Sequence, residues 1–271
     1  MKIRVNGLEL NVAIEGEGQA VVLLHGFPDR AELWRKQIPT LVSAGYRVIA
    51  PDMRGFGDSD KPDGVELYSV LHLTEDLRGI LDEFGIDRAH LVGHDIGAVT
   101  AWLFATLYPD RVTSVTALSL GHPRSYREAG LEQLAMSWYT FMFQFEGVAE
   151  EWISRDNWEF FRSMVSYEDT DRRVADLSRP GALTASLNWH RANVPPSSWI
   201  EEFPNLPPVS VPTMGIWSSQ DHLLGEAQMK GSEKFVTGPW RYERMEDVGH
   251  WIPLAEPDRL NELLLGFLTS G

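Results

Sequence analysis

The sequence predicts an α/β protein: a mostly parallel sheet with helices on both faces, and a helical segment inserted before the sheet is complete. Three observations predict it. Short, almost wholly apolar runs recur along the chain ("AVVLLHGFP", "YRVIAPD", "AHLVGH", "VTSVTALSLGH"), the pattern of strands buried on both faces. Stretches with helical spacing separate them, as the crossover between two parallel strands requires. From about 123 to 205 the strand-like runs give way to amphipathic helical patterns that carry five of the ten tryptophans, Trp138, Trp152, Trp158, Trp189 and Trp199.

The elements follow in order. "MKIRVNGLELNVAIEGEG" alternates apolar and polar residues around Asn6-Gly7, which reads as a hairpin with a tight two-residue turn. "AELWRKQIPTLVSAG" and "LHLTEDLRGILDEFG" read as helices between the first buried strands. The sheet pattern returns at "VPTMGIWSSQD" and "RYERMEDVGHW", and "PDRLNELLLGFL" reads as a closing helix. The expected organisation is a core from 1–122 and 206–271 with a helical lid at 123–205. There is no internal repeat and no low-complexity linker.

Composition narrows the function. A chain of 271 residues with 43% hydrophobic content can bury a full core. Its net charge of −15 disfavours nucleic acid as a partner, since tracking phosphates needs clustered Lys and Arg. With no cysteine, disulfides, thiolate metal sites and a cysteine nucleophile are excluded. The N-terminal alternation is not an apolar leader, and no stretch reaches the roughly 18 apolar residues of a membrane span. A cytoplasmic setting is expected.

Ligands of open α/β sheets bind at the carboxyl ends of the strands, and four such ends carry suggestive residues. Gly93-His94-Asp95-Ile96-Gly97 has the form glycine-x-nucleophile-x-glycine, where the glycines permit a sharp strand-to-helix turn that lifts the central side chain above the sheet. An aspartate before a helix is also an ordinary N-cap, and the turn alone does not choose between these roles. Asp221 follows "TMGIWSSQ" and His250 follows "MEDVG", so the order along the chain is nucleophile, acid, base. The strand ending at "SLGH", beside His122, offers no carboxylate, which leaves Asp221 to orient His250. At His25-Gly26-Phe27-Pro28 the backbone N–H of Phe27 is placed to pair with that of Ile96 as an oxyanion hole.

With these residues in place the chain resembles, throughout its length, the α/β-hydrolase-fold epoxide hydrolases, which carry an inserted helical lid. The resemblance rests on "HGFP" (25–28), "DMRGFGDSD" (52–60), "GHDIGA" (93–98), Asp221 and "GHW" (249–251), and in the lid on "WYTFMFQFEGVAE" (138–150) and "GALTASLNWHRA" (181–192). The core motifs are shared by several hydrolase branches; the lid segments are more specific. An aspartate attacking a saturated carbon leaves an alkyl ester whose carbonyl water can cleave, so the resemblance implies that Asp95 opens an epoxide or displaces a halide. His250, oriented by Asp221, would activate the water.

Epoxide and halide differ in the leaving group, because an alkoxide must be protonated. Epoxide hydrolases usually set two lid tyrosines over the nucleophile. Tyr139 stands where the first is expected, but the second position, in "LNWHR", is His190. Tyr139 and His190 are therefore expected to act as the acid pair. A tyrosine near ~10 and a histidine near ~6.5 each keep a donor at neutral pH, and an imidazolium as the better donor would bring the alkaline limb of activity down. Haloalkane dehalogenases usually carry Trp after the nucleophile and fluoroacetate dehalogenases Arg; here Ile96 stands there and Phe27 in the His-Gly motif. Dehalogenation remains the alternative enzyme, and a hydrolase-fold protein that binds a small molecule without turnover the alternative class.

The resemblance further implies a pocket lined by Trp189, His122, Phe27 and Trp251, no cofactor and no metal. The partner is expected to be a small, mostly apolar epoxide, with a second copy of the chain as the other candidate. His94 is expected to pack within the turn, Asp52, Arg54 and Asp58 to be structural, and the acidic runs of the lid to be solvated faces.

Overall fold

The computed structural model describes residues 1–165 and 167–269. Eight strands, β1 (Lys2–Val5), β2 (Leu8–Glu15), β3 (Gln19–Leu24), β4 (Tyr46–Pro51), β5 (Ala89–His94), β6 (Val112–Leu118), β7 (Thr213–Ser218) and β8 (Trp240–Met245), form one sheet in the order β1-β2-β4-β3-β5-β6-β7-β8. The first two are antiparallel, and β2 is antiparallel to β4. The remaining neighbours are parallel. The hairpin is closed by Asn6 and Gly7, with φ of 51° and 80°. These positive angles give the turn the twist of its strands, and Asn-Gly adopts them readily. β5 is buried along its whole length, as its unbroken apolar run requires.

The helices of the core are α1 (Ile38–Ser43), α2 (Val70–Glu83) and α3 (Ile96–Leu107). Between β6 and β7 lie α4 (Pro123–Glu128), α5 (Gly130–Met136), α6 (Trp138–Phe143), α7 (Val148–Met164), α8 (Thr170–Leu177) and α9 (Ala182–Asn193), and no strand among the described residues. α10 (Glu226–Lys230), α11 (Ile252–Ala255) and α12 (Pro257–Leu268) complete the chain. The stretch "AELWRKQIPTLVSAG", read as one helix, is a 3₁₀ turn at Ala31–Trp34 followed by the short α1. Pro39 explains the break, since proline has no N–H to donate and fits only the first turn of a helix.

Strand order locates the cleft. From β3 the chain crosses through α1 to β4 on one side, whereas β5 lies on the other side of β3. Right-handed crossovers then place α1 on the opposite face from α2 and α3, and α1 packs with α12 while α2 packs with α3. The reversal opens a crevice between the carboxyl ends of β3 and β5, where the chain places "HGFP" and "HDIG".

The inserted segment is fastened over this crevice by buried polar contacts. Asp29, just beyond β3, accepts hydrogen bonds from Tyr167 Oη at 2.7 Å and Trp251 Nε1 at 3.0 Å. Arg173 of α8 stands 3.3 Å from the same carboxylate, 3.4 Å from Glu32 and 3.0 Å from Asp176, and is wholly buried. Trp189 of α9 donates to the carbonyl of Arg54 at 3.0 Å, and at the exposed rim Arg179 pairs with Asp58 at 2.7 Å. Asp52 and Arg54 serve the loop itself: Asp52 accepts from Ala31 and Asp58 amides, and Arg54 pairs with Asp76 at 2.6 Å. The acidic runs are only partly solvated faces. Glu150 supplies the counter-charge that the buried Arg191 needs, and the buried Asp169 takes its own from the half-buried Arg35.

Replacing Arg173 by Ala removes a buried cation shared by three carboxylates. Losing one partner of such a network costs about 3–5 kcal/mol, so thermal unfolding of Arg173→Ala should begin well below that of the parent. An unchanged melting temperature would show that the fastening does not depend on this residue.

Candidate active site

Asp95 occupies the turn between β5 and α3 with φ 54° and ψ −123°, a conformation rarely adopted by a residue with a Cβ. The glycines beside it make the turn sterically feasible. A Cβ on Gly93 would come within 2.4 Å of the Gly97 carbonyl oxygen, and one on Gly97 within 2.2 Å of the Leu24 oxygen. The Asp95 side chain makes no capping bond to α3. Its Oδ1 instead accepts the N–H of Phe27 at 3.1 Å, so the side chain is not an N-cap of α3 and is held at the end of β3.

Asp221 and His250 converge on the same point. His250 Nδ1 lies 2.8 Å from Asp221 Oδ2, and Asp221 Oδ1 accepts the amides of Leu223 and Leu224 at 2.9 and 3.0 Å. Since a carboxylate only accepts, Nδ1 carries the proton and the free Nε2 faces Asp95, 3.8 Å from Oδ2. All three side chains are buried. Burial opposes charge on His250, but the carboxylates of Asp221 and then Asp95 outweigh it and raise its pKa above 6.5. The His250 carbonyl is held at 3.0 Å by both His94 Nε2 and Ser119 Oγ. His94 thus packs in the turn as expected and also braces the main chain of His250. His25 similarly braces the loop carrying Phe27: its Nε2 accepts the Met53 amide at 2.9 Å and its Nδ1 contacts the Gly26 carbonyl at 2.9 Å.

Tyr139 of α6 and His190 of α9 hang over Asp95, their rings edge to face with centroids 6.0 Å apart. Burial, reinforced by Tyr126 and the carboxylates of Asp95 and Asp221, pushes the Tyr139 hydroxyl well above its ordinary value. Burial likewise pushes His190 down to about 4, so of the two donor forms that an ordinary histidine offers near neutral pH the neutral one is favoured. His190 Nδ1 is buried without a hydrogen-bond partner. A bare lone pair is tolerated there better than an orphaned N–H, which favours the tautomer with the proton on Nε2.

Two cavities meet at Asp95, Tyr139 and His190. The larger, about 480 Å³, is lined also by Ile96, His122, Trp189 and a run of aliphatic side chains. The smaller, about 20 Å³, is lined also by Phe27, His250 and Trp251. All four expected pocket residues line one or the other. His122 and Trp189 have structural duties too, His122 stacking on Phe235 at 4.5 Å and Trp189 bonding to the Arg54 carbonyl. Sequence reasoning missed Tyr126, which lines the large cavity, and Met164, Val165 and Leu223, which close the small one. Nothing in their local pattern distinguishes them from core residues.

This arrangement sets a carboxylate at a tight strand-to-helix turn opposite a histidine–aspartate pair, at the strand ends of a mostly parallel sheet. A model of the alpha/beta hydrolase fold matches residues 19–257. The chain is 33% identical to "Epoxide hydrolase A" of Mycobacterium tuberculosis over 99% of its own length and 96% of that protein. It is 32% identical to "AB hydrolase superfamily protein YfhM" of Bacillus subtilis, over 99% and 97%. The crystal structure of a Bacillus megaterium epoxide hydrolase in complex with an inhibitor superimposes with a TM-score of 0.90 at 27% identity, covering 99% of this chain and all of that one. The chain belongs to the α/β-hydrolase fold family, and within it stands among relatives that bear the name epoxide hydrolase.

The buried histidines set an acid limit on the fold. His25, His90, His94, His122 and His190 are all pushed down to about 4, each chiefly by burial. The unfolded chain therefore binds more protons than the folded one between about 6.5 and 4. The stability from these groups is complete above 6.5 and is lost as pH falls through that window. Asp29, raised to about 6 by burial, and His250 act in the opposite direction, but they are two groups against five. Chemical denaturation should give a lower unfolding free energy at pH 5 than at pH 7; equal or greater stability at pH 5 would contradict the assignment of neutral buried rings.

Proposed function

We propose that the protein is a cofactor-independent epoxide hydrolase that converts an epoxide to a vicinal diol through an ester on Asp95, with residues 123–205 acting as its lid. The observation that carries this reading is the carboxylate of Asp95 at the strained turn, with the His250–Asp221 pair on one side and two lid donors above. The names of the relatives agree with it.

In the first step Asp95 Oδ2 attacks a ring carbon. The new C–O bond forms as the ring C–O bond breaks, and its electron pair goes to the epoxide oxygen. Tyr139 Oη and His190 Nε2 donate hydrogen bonds to that oxygen, and Tyr139, much the stronger acid of two neutral donors, supplies its proton. Both hold their protons at neutral pH, one because burial disfavours the phenolate, the other because a neutral imidazole still carries one N–H. The pair is thus a set of neutral donors rather than a cationic acid. A halide would need no such proton, so the presence of two donors favours the epoxide over dehalogenation.

In the second step His250 Nε2 takes a proton from water as its oxygen attacks the ester carbonyl. Negative charge develops on Oδ1, where the N–H of Phe27 already points and where the first amide of α3, at Ile96, has no partner within its helix. Collapse expels the diol oxygen, which takes the proton back from His250, and the second proton of the water, left on the Asp95 carboxyl, returns to the lid donor spent in the first step. Asp221 fixes the Nδ1–H tautomer and stabilises the imidazolium. Because those carboxylates raise the His250 pKa, the base is lost as pH falls through a value above 6.5.

Replacing His250 by Gln should stop the second step and leave the first. Mixed with an epoxide that the parent turns over, His250→Gln should gain the mass of the substrate, mapped to Asp95. In that background Tyr139→Phe and His190→Phe should each slow adduct formation by about 10²-fold, the low end of general acid contributions. An adduct on another residue, free halide from alkyl halides with no diol from epoxides, or unslowed alkylation in both lid variants would overturn the corresponding part of the mechanism.

A further inference from the structure

The two cavities are unequal, and their inequality constrains the substrate. They share Asp95, Tyr139 and His190, so the reacting ring sits where they meet and substituents on its two carbons extend into one or the other. The large cavity, about 480 Å³, is within the range of small-molecule sites. Its walls beyond the reacting groups are mainly aliphatic and aromatic, with Val99, Leu103, Leu120, Phe203 and Leu206 among them. Leu71 and Leu107, 58% and 38% exposed, belong to the same lining and make its mouth apolar.

The small cavity has about 20 Å³, and a single water needs roughly 10–15 Å³ on this measure. His250 lines this cavity and not the large one. The space beside the general base is thus water-sized, and Met164, Val165, Leu223, Phe27 and Trp251 close it. A carbon substituent there would fill this space against these side chains and take the place from which water must attack.

We infer that the enzyme is built for terminal epoxides, with one ring carbon bearing only hydrogen and the other carrying a single-sided apolar arm into the large cavity. The inference rests on the epoxide hydrolase reading above. The one-sidedness has a chemical consequence: the CH₂ carbon, with no substituent to shield it, is open to in-line attack by Asp95 Oδ2, while the arm is gripped away from His250.

The test compares 1,2-epoxyoctane with trans-2,3-epoxynonane, which carry the same hexyl arm and differ only in whether the second ring carbon bears a methyl. Pockets that lack room for one such group discriminate by about 10- to 200-fold, so kcat/KM for the terminal epoxide should exceed that for the internal one by at least about 30-fold. Met164→Ala, and independently Leu223→Ala, should each narrow that ratio at least about fivefold by opening the small cavity; the second variant guards against misfolding of the first. Equal rates on the two epoxides in the parent, or ratios unmoved in both folded variants, would overturn the inference while leaving epoxide hydrolysis intact. No diol from either epoxide would overturn both.

Discussion

The rest of the site depends on the backbone of Asp95. A non-glycine residue held at φ 54° and ψ −123° costs about 1–3 kcal/mol and persists only where its surroundings leave no alternative. Here β5 and α3 crowd together through Gly93 and Gly97, and Gly26 passes so close that a Cβ on it would meet the Asp95 Cβ at 2.4 Å. The carboxylate cannot fold back to cap α3. It projects instead into the crevice where the strand order reverses, with one oxygen held by the Phe27 amide and the other turned toward His250. Position in the sheet, direction of the side chain and identity of the held oxygen all follow from that one turn.

Burial then sorts the titrating groups. The same dry surroundings that keep five histidines neutral would keep His250 neutral as well, were it not for Asp221 at 2.8 Å and Asp95 at 3.8 Å. One imidazole among many is thereby tuned upward, and it is the one facing Asp95. Tyr139 is affected in the opposite sense to the buried histidines, yet with the same result: burial disfavours its charged form, so it too remains a neutral donor. The fastening at Asp29 joins the two halves of this arrangement. It binds Arg173 and Tyr167 from the inserted segment and Trp251 beside His250, so the inserted segment and the loop bearing His250 are anchored at one buried carboxylate.

Much of this was legible in the sequence, and the remainder has a physical reason for being hidden. The apolar runs at β3, β4, β5, β6 and β7 announce strands buried on both faces, and the glycine spacing around Asp95 announces the turn. Asp221 and His250 stand out because each ends a strand. Strand order is not written locally, nor is the partnership of Asp29 with Arg173, which joins residues far apart in the chain. The break of the first expected helix at Pro39 was visible in principle and was outweighed by the apolar spacing around it. His190 was legible as a departure at a lid position, but not its neutrality, which comes from rings packed around it: Phe27 at 5.3 Å and Phe143 at 5.0 Å. The walls of the small cavity were the least legible, since Met164, Val165 and Leu223 acquire meaning only when α7 and the loop after β7 meet beside His250.

The central claim is that the carboxylate of Asp95, not water, attacks the epoxide carbon. A single turnover in ¹⁸O-water, with enzyme in excess over a terminal epoxide, tests it directly. If Asp95 forms the ester and water cleaves its carbonyl, the first diol carries no heavy oxygen from the solvent and the peptide containing Asp95 gains the label. A labelled diol with an unlabelled Asp95 would mean that water attacks the ring itself and would contradict the account.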